Sequence, residues 1–246
     1  DDQWSEELVD AHIRLAAIYD RRERWAAAAS HQRRVLELRP DNEGAQRWLE
    51  EYLRQAGQPE ELIELYRDLL GRTPSAAKQV ELLLKLADLY IGLGLVEEAQ
   101  IQLREALDRE PGRRDLRQKL VELLREHGRF ETLREALKSL LVRVREREDR
   151  WEIAIELGQA NAELGELDQA VRSYLEAIKL LPARLEGLEG ACRVLEQIVD
   201  ERGALAMAPA GTERAGKLLE NLLIRLAEVA PTRAQERDAL LKVAHL

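Results

Sequence analysis

The sequence predicts an all-α fold: a solenoid of antiparallel helix pairs, with about 13 helices on a 71-residue double repeat. Three observations predict it. Glu, Arg, Leu and Ala, all strong helix formers, dominate a chain that is 45% hydrophobic but only 4% aromatic, so its core is aliphatic. Gly and Pro number 14 and 7, too few for a chain of many tight β-turns. Residues of several types also recur at one step. Pro40, Pro111 and Pro182 are 71 apart, as are Leu15, Leu86 and Leu157, and again Ala28, Ala99 and Ala170. Tyr19 and Tyr90 keep the step, with Asn161 in the third place.

Half of each period has its own pattern. The stretch "LVDAHIRLAAIYDRRERWAAAASHQRRVLELRPD" carries Leu15, Ala16, Tyr19, Ala28 and Pro40 in order. "LLKLADLYIGLGLVEEAQIQLREALDREP" repeats the order with Leu86, Ala87, Tyr90, Gly94, Ala99, Ala106 and Pro111. "AIELGQANAELGELDQAVRSYLEAIKLLP" gives Leu157, Gly158, Gly165, Ala170, Tyr174, Ala177 and Pro182. The pattern resembles the tetratricopeptide repeat, in which W-x2-L-G-x2-Y is followed by A-x3-F and then P. The resemblance covers nearly the whole chain as one domain. The expected copies are 9–42, 43–76, 80–113, 114–147, 151–184 and 185–231, and 233–246 is the first helix of a further copy. It implies a right-handed superhelix, each copy being two antiparallel helices.

Each element follows from its residues. Gly57, Gly94, Gly128 and Gly165 are expected in the turns between paired helices, where φ > 0 carries little steric cost for Gly. Ala16, Ala28, Ala87 and Ala99 let paired helices approach closely. Tyr19 and Tyr90 fill the space between copies. Proline stops each second helix, because it cannot continue one. No pair can bury its apolar face alone, so the copies stack.

The even copies differ. They carry Leu62, Leu133 and Leu219 at the Ala28 position, and Glu50 and Val121 follow Leu49 and Leu120. Three extra residues follow each, since Pro74 to Leu86 is 12 steps where Pro40 to Leu49 is 9. Even copies are therefore expected to pack more loosely and to end in longer or extended connections. In the sixth copy Pro182 to Pro231 is 49 steps, 15 beyond the 34 from Pro40 to Pro74. Gly203, Pro209 and Gly211 favour a protruding loop near 200–216 over two lengthened helices. At the end, "ALLKVAHL" (239–246) matches "LLLKLADLY" (82–90), as the start of a seventh copy and so of a longer array.

Composition excludes several function classes. A net charge of −9 lacks the basic footprint of nucleic-acid binding. No apolar run reaches the roughly 18 residues of a membrane span. The single cysteine, Cys192, excludes an intrachain disulfide and a Cys-based zinc site, and reads as an inert core thiol. His12, His31, His127 and His245 lack metal-ligand spacing, and His12 reads as a packing residue. "GLG" at 92–94 follows no strand and is a turn, and Glu97 and Glu98 are ordinary helix surface. No catalytic residue, metal or cofactor is expected.

The resemblance implies instead a groove, lined by the first helix of each copy, that binds a peptide or partner domain. The residues it assigns there are Ile13 and Ala17; Arg47, Glu51 and Arg54; Leu84, Asp88 and Ile91; Glu122 and Arg125; and Ile155 and Gln159. Some members grip the C-terminal carboxylate of a heat-shock chaperone with Lys, Asn and Arg on these helices. Here those places hold Ile13, Ala17, Arg47 and Glu51, and none of Asn42, Asn161 and Asn221 falls among them, so no such clamp is expected. The expected function is a non-enzymatic interaction scaffold with a protein or peptide partner. The alternatives are a recruiting segment of a larger enzyme, or a self-assembly element joined end to end.

Overall fold

The structure is a computed structural model that describes residues 2–203 and 210–244. Among these residues there are 13 helices and no strand. They are α1 (Asp2–Asp20), α2 (Trp25–Leu38), α3 (Glu43–Gln55), α4 (Pro59–Arg72), α5 (Ala76–Gly92), α6 (Val96–Arg109) and α7 (Arg114–Glu126). There follow α8 (Phe130–Arg143), α9 (Arg147–Glu163), α10 (Leu167–Leu180), α11 (Leu185–Gly203), α12 (Ala210–Val229) and α13 (Arg233–Ala244). The chain divides into two compact units, 1–102 and 103–246.

The stops and starts obey local chemistry. Four interhelical glycines adopt the left-handed conformation, with φ of 65° at Gly57, 72° at Gly94, 63° at Gly128 and 72° at Gly165. At Gly94 this lets the Leu95 N–H reach back to Tyr90 O at 2.8 Å, which satisfies a carbonyl the helix end leaves open. Pro40, Pro74, Pro111, Pro182 and Pro231 each lie two residues beyond the end of a second helix. Asn42 caps α3 by accepting from the Ala45 N–H at 2.9 Å, and Ser75 caps α5.

In unit 1, α1 to α5 pack in sequence around Ala16, Ala28, Leu49, Leu62, Leu83 and Leu86, all nearly inaccessible to solvent. Tyr90 is buried there too, and its hydroxyl accepts from Arg67 Nη2 at 2.7 Å. In unit 2, one cluster joins Tyr174, Ile178, Leu188, Cys192, Leu195, Leu219 and Leu223 across α10, α11 and α12. A smaller one joins Trp151, Ala154 and Ala177. Asn161, in the third tyrosine's place, is buried and donates to Ser173 Oγ at 3.2 Å.

Three expectations change. The connections after the second and fourth copies are extended, as Thr73 (ψ 116°) and Val144 (ψ 133°) show, but they are not longer. The surplus residues lengthen the next first helix instead: α5 and α9 have 17 residues where α3 and α7 have 13. Looser pairing holds for α3 with α4 and α7 with α8, while α11 and α12 pair nearly as extensively as α1 and α2.

The third change concerns the sixth copy. Its surplus is carried mainly by helix, since α11 has 19 residues and α12 has 20. Val199 stands 71 beyond Gly128, so α11 lacks the glycine that would stop it and runs on to Gly203. Of the loop expected near 200–216, residues 200–203 and 210–216 are helical, and 204–209 lie outside the described residues.

Candidate functional site

Within each unit the first helices lie side by side, and charged pairs fix their register. In unit 1, Lys85 Nζ on α5 donates to Glu50 Oε2 on α3 at 2.8 Å, and Lys78 approaches Glu43 at 3.5 Å. Burial alone would raise the pKa of Glu50. The hydrogen bonds from Lys85, Tyr66 and Arg54 outweigh it and leave the pKa below the ordinary value. The same bond, after the effect of burial, raises the pKa of Tyr66.

Unit 2 uses the same steps with the signs exchanged. Arg114 and Asp149 stand 71 beyond Glu43 and Lys78, and they pair at 3.3 Å. Beside them Arg117 is wholly buried. Its Nη2 donates to Glu152, with Asp149 at 3.7 Å and Glu156 at 3.6 Å. Arg117 Nε and Nη1 and Glu156 Oε2 make no hydrogen bond. Val121 stands at the register of Glu50, so Glu156 lacks the counterpart that Lys85 has, and Arg117 Nε approaches it at 3.6 Å. Burial first, and Glu152 second, push its carboxyl up to about 7 against the pull of Arg117 and Arg125.

The assigned residues fall on these helices. In unit 1, Ile13 and Ala17 are exposed on α1, and Ile13 lines a cleft of about 530 Å³ with Glu6, Asp10 and Arg39. Arg54 pairs with Glu50 and Glu51 on its own helix, Arg47 and Asp88 are exposed, and Ile91 is just over one-third exposed. In unit 2, Arg125 donates to Gln159 at 2.7 Å and joins α7 to α9, and Glu122 is exposed. Leu84 and Ile155 are only partly accessible, and Ile155 packs against both core clusters of its unit.

His12, His31 and Cys192 act as packing residues. His12 and His31 meet Nδ1 to Nδ1 at 3.0 Å, Tyr19 stacks on His31, and burial and His12 lower the His31 pKa. Cys192 is buried, and burial pushes its thiol up to about 12. Among the described residues no group of three or more His, Cys, Asp or Glu is placed to hold a metal, and no helix is long and apolar enough to cross a membrane.

Sequence reasoning missed the buried Arg117 cluster. Opposite charges 35 residues apart were the available signal, because that step recurs in Glu43–Lys78, Glu50–Lys85, Arg114–Asp149 and Arg117–Glu152.

These features define a helical-repeat protein whose first helices form one face in each unit. Residues 80–113 and 152–183, the third and fifth copies, match the family model of the tetratricopeptide repeat. No curated protein matches the chain. Solved structures similar to it include YrrB, a tetratricopeptide-repeat protein with an unusual peptide-binding site. That chain is 15% identical, with 87% of this chain and 99% of that one covered and a TM-score of 0.47. MamA from Desulfovibrio magneticus RS-1 is 14% identical over 78% and 98% of the two chains, with a TM-score of 0.44. The TPR2AB domain of yeast Sti1, in complex with an HSP90 peptide, is 11% identical over 97% and 99%, with a TM-score of 0.38.

Proposed function

We propose that the chain is a non-enzymatic interaction scaffold that binds a peptide or partner domain along the face of its first helices. The observation that carries this is the arrangement of that face. Within unit 1 an ion pair joins α3 to α5, within unit 2 another joins α7 to α9, and Arg47, Asp88, Glu122, Arg125 and Gln159 remain accessible on these helices. Stacked repeats of this kind suit extended partners, because one segment can touch several repeats at once. The test is affinity capture of partners on the immobilised chain, compared with a variant carrying Arg47→Ala, Asp88→Ala, Glu122→Ala and Arg125→Ala. Partners lost only on the variant support the proposal, and partners retained equally by both contradict it.

Self-association is favoured by a separate observation. Trp4, Leu8, Leu15 and Ile18 form an exposed stripe on α1, whereas Leu86 and Leu157, at the same register as Leu15, are buried. Sedimentation at rising concentration tests it. A species that stays monomeric at high concentration rules it out.

A further inference from the structure

The groove between the first helices is filled in one part of unit 2 and open in another. Between α7 and α9 it is occupied by the stems of Arg114 and Arg117 and by the carboxylates of Asp149, Glu152 and Glu156. In α11 the residues 71 further on are Leu185 and Leu188, and Cys192 replaces Val121. In α13 the corresponding residues are Gln235, Asp238 and Lys242, each 86 beyond its counterpart in α9. Leucine is shorter than arginine, and Leu188 is turned fully into the core. The space vacated is a cavity of about 470 Å³, walled by Leu185, Cys192, Leu223, Leu226 and Ala239.

This volume lies within the roughly 300–1,000 Å³ of small-ligand sites, which combine apolar walls with a few polar groups. The polar groups here are at the rim. Glu189, Glu196 and Asp238 face Arg193 and Lys242, and Lys242 is already tied to Glu196 at 2.6 Å. Three carboxylates against two cations leave an excess of negative charge on a chain that is itself acidic. The thiol of Cys192 belongs to the wall, not to any chemistry.

We infer that the cavity between α11, α12 and α13 seats a bulky apolar side chain of a partner peptide, with an adjacent Lys or Arg of that peptide drawn to the acidic rim. This rests on the proposed scaffold function and names a place and a partner chemistry for it. Apolar burial supplies the attraction, and the rim selects among apolar segments by charge.

The experiment titrates three capped peptides into the 15N-labelled chain: acetyl-Gly-Phe-Lys-Gly-amide, acetyl-Gly-Phe-Glu-Gly-amide and acetyl-Gly-Gly-Lys-Gly-amide. The Phe-Lys peptide is expected to shift amide signals around Cys192 and Ala239. It should bind about threefold more tightly than Phe-Glu, as fits a solvent-exposed rim. The Gly-Lys peptide should not bind. Ala239→Leu, which fills the cavity, is expected to weaken Phe-Lys about tenfold or more. Ala230→Leu, just past the end of α12, fills it should the first variant misfold. Glu189→Lys, on the exposed rim, should erase the preference for Lys over Glu without touching the core. Shifts that avoid α11 and α13, or that survive filling, overturn the inference, and equal binding of Phe-Lys and Phe-Glu overturns its charge component. If peptides shift only α3, α5, α7 and α9, the cavity fails while the scaffold function stands.

Discussion

Arg117 is wholly buried on α7, and its Nη2 donates to Glu152 on α9, 35 residues further along the chain. A cation in this place is tolerable because three carboxylates surround it. Removing it leaves them facing one another in a largely dehydrated groove. Arg117→Ala is therefore expected to lower the unfolding free energy by about 3–5 kcal/mol, read from urea denaturation. A loss below about 1 kcal/mol would place the pair in the class of surface ion pairs.

Glu156 gives the same interface a pH dependence. Its folded-state pKa, about 7, lies above the ordinary value of 4.5 because burial and Glu152 favour the neutral acid. Stability from this group is thus fully present below about pH 4.5 and is lost as pH rises towards 7. Glu156→Gln keeps the shape and removes the charge. It should match the parent at pH 4 and exceed it by about 1–3 kcal/mol at pH 8. Unfolding curves at both pH values check this, and an identical pH slope in the two proteins contradicts it.

Tyr174 is held between two glycines. A Cβ at Gly158 would lie 2.8 Å from its ring, and one at Gly190 would lie 2.4 Å from it. Neither contact can exist without moving the ring, which sits in the main core of unit 2. Gly190→Ala is expected to cost about 1–3 kcal/mol by overpacking, and Tyr174→Leu in the same chain should recover part of it. Additive losses in the double variant would show that the ring is not the obstacle.

The Glu50–Lys85 pair tests register rather than bulk stability. Lys85 is about half exposed, so Lys85→Glu alone is expected to cost about 0.5–1 kcal/mol. Exchanging both residues, Glu50→Lys with Lys85→Glu, should restore only part of the loss, because a cation at position 50 meets Arg54. A double-mutant cycle on thermal unfolding measures the coupling.

The parts of the fold readable in the sequence are those where backbone chemistry admits few residues. Gly94 must take positive φ and Pro111 cannot extend a helix, so both announce the turns they occupy. The length of α11 was harder to read. Gly203 and Gly211 suggested a break, but the missing signal was Val199 in the place of a turn glycine, which lets the helix continue. The face was read in outline only. A half-buried Ile155 and an exposed Glu122 look alike as first-helix residues until a neighbouring helix covers one of them. Arg117 shows no local sign of burial, because arginine usually lies at the surface. Only the matching acids 35 residues later could have shown that it is interior.

The central claim is that partners bind along the first helices, and amide hydrogen exchange on a complex tests it most directly. A binder selected from a random peptide library would be mixed with the chain at saturation and the protected segments mapped. Slowed exchange is expected in first helices, among α3, α5, α7, α9, α11 and α13, with α4, α8 and α10 unchanged. Protection confined to second helices, or no enriched peptide at all, would contradict it.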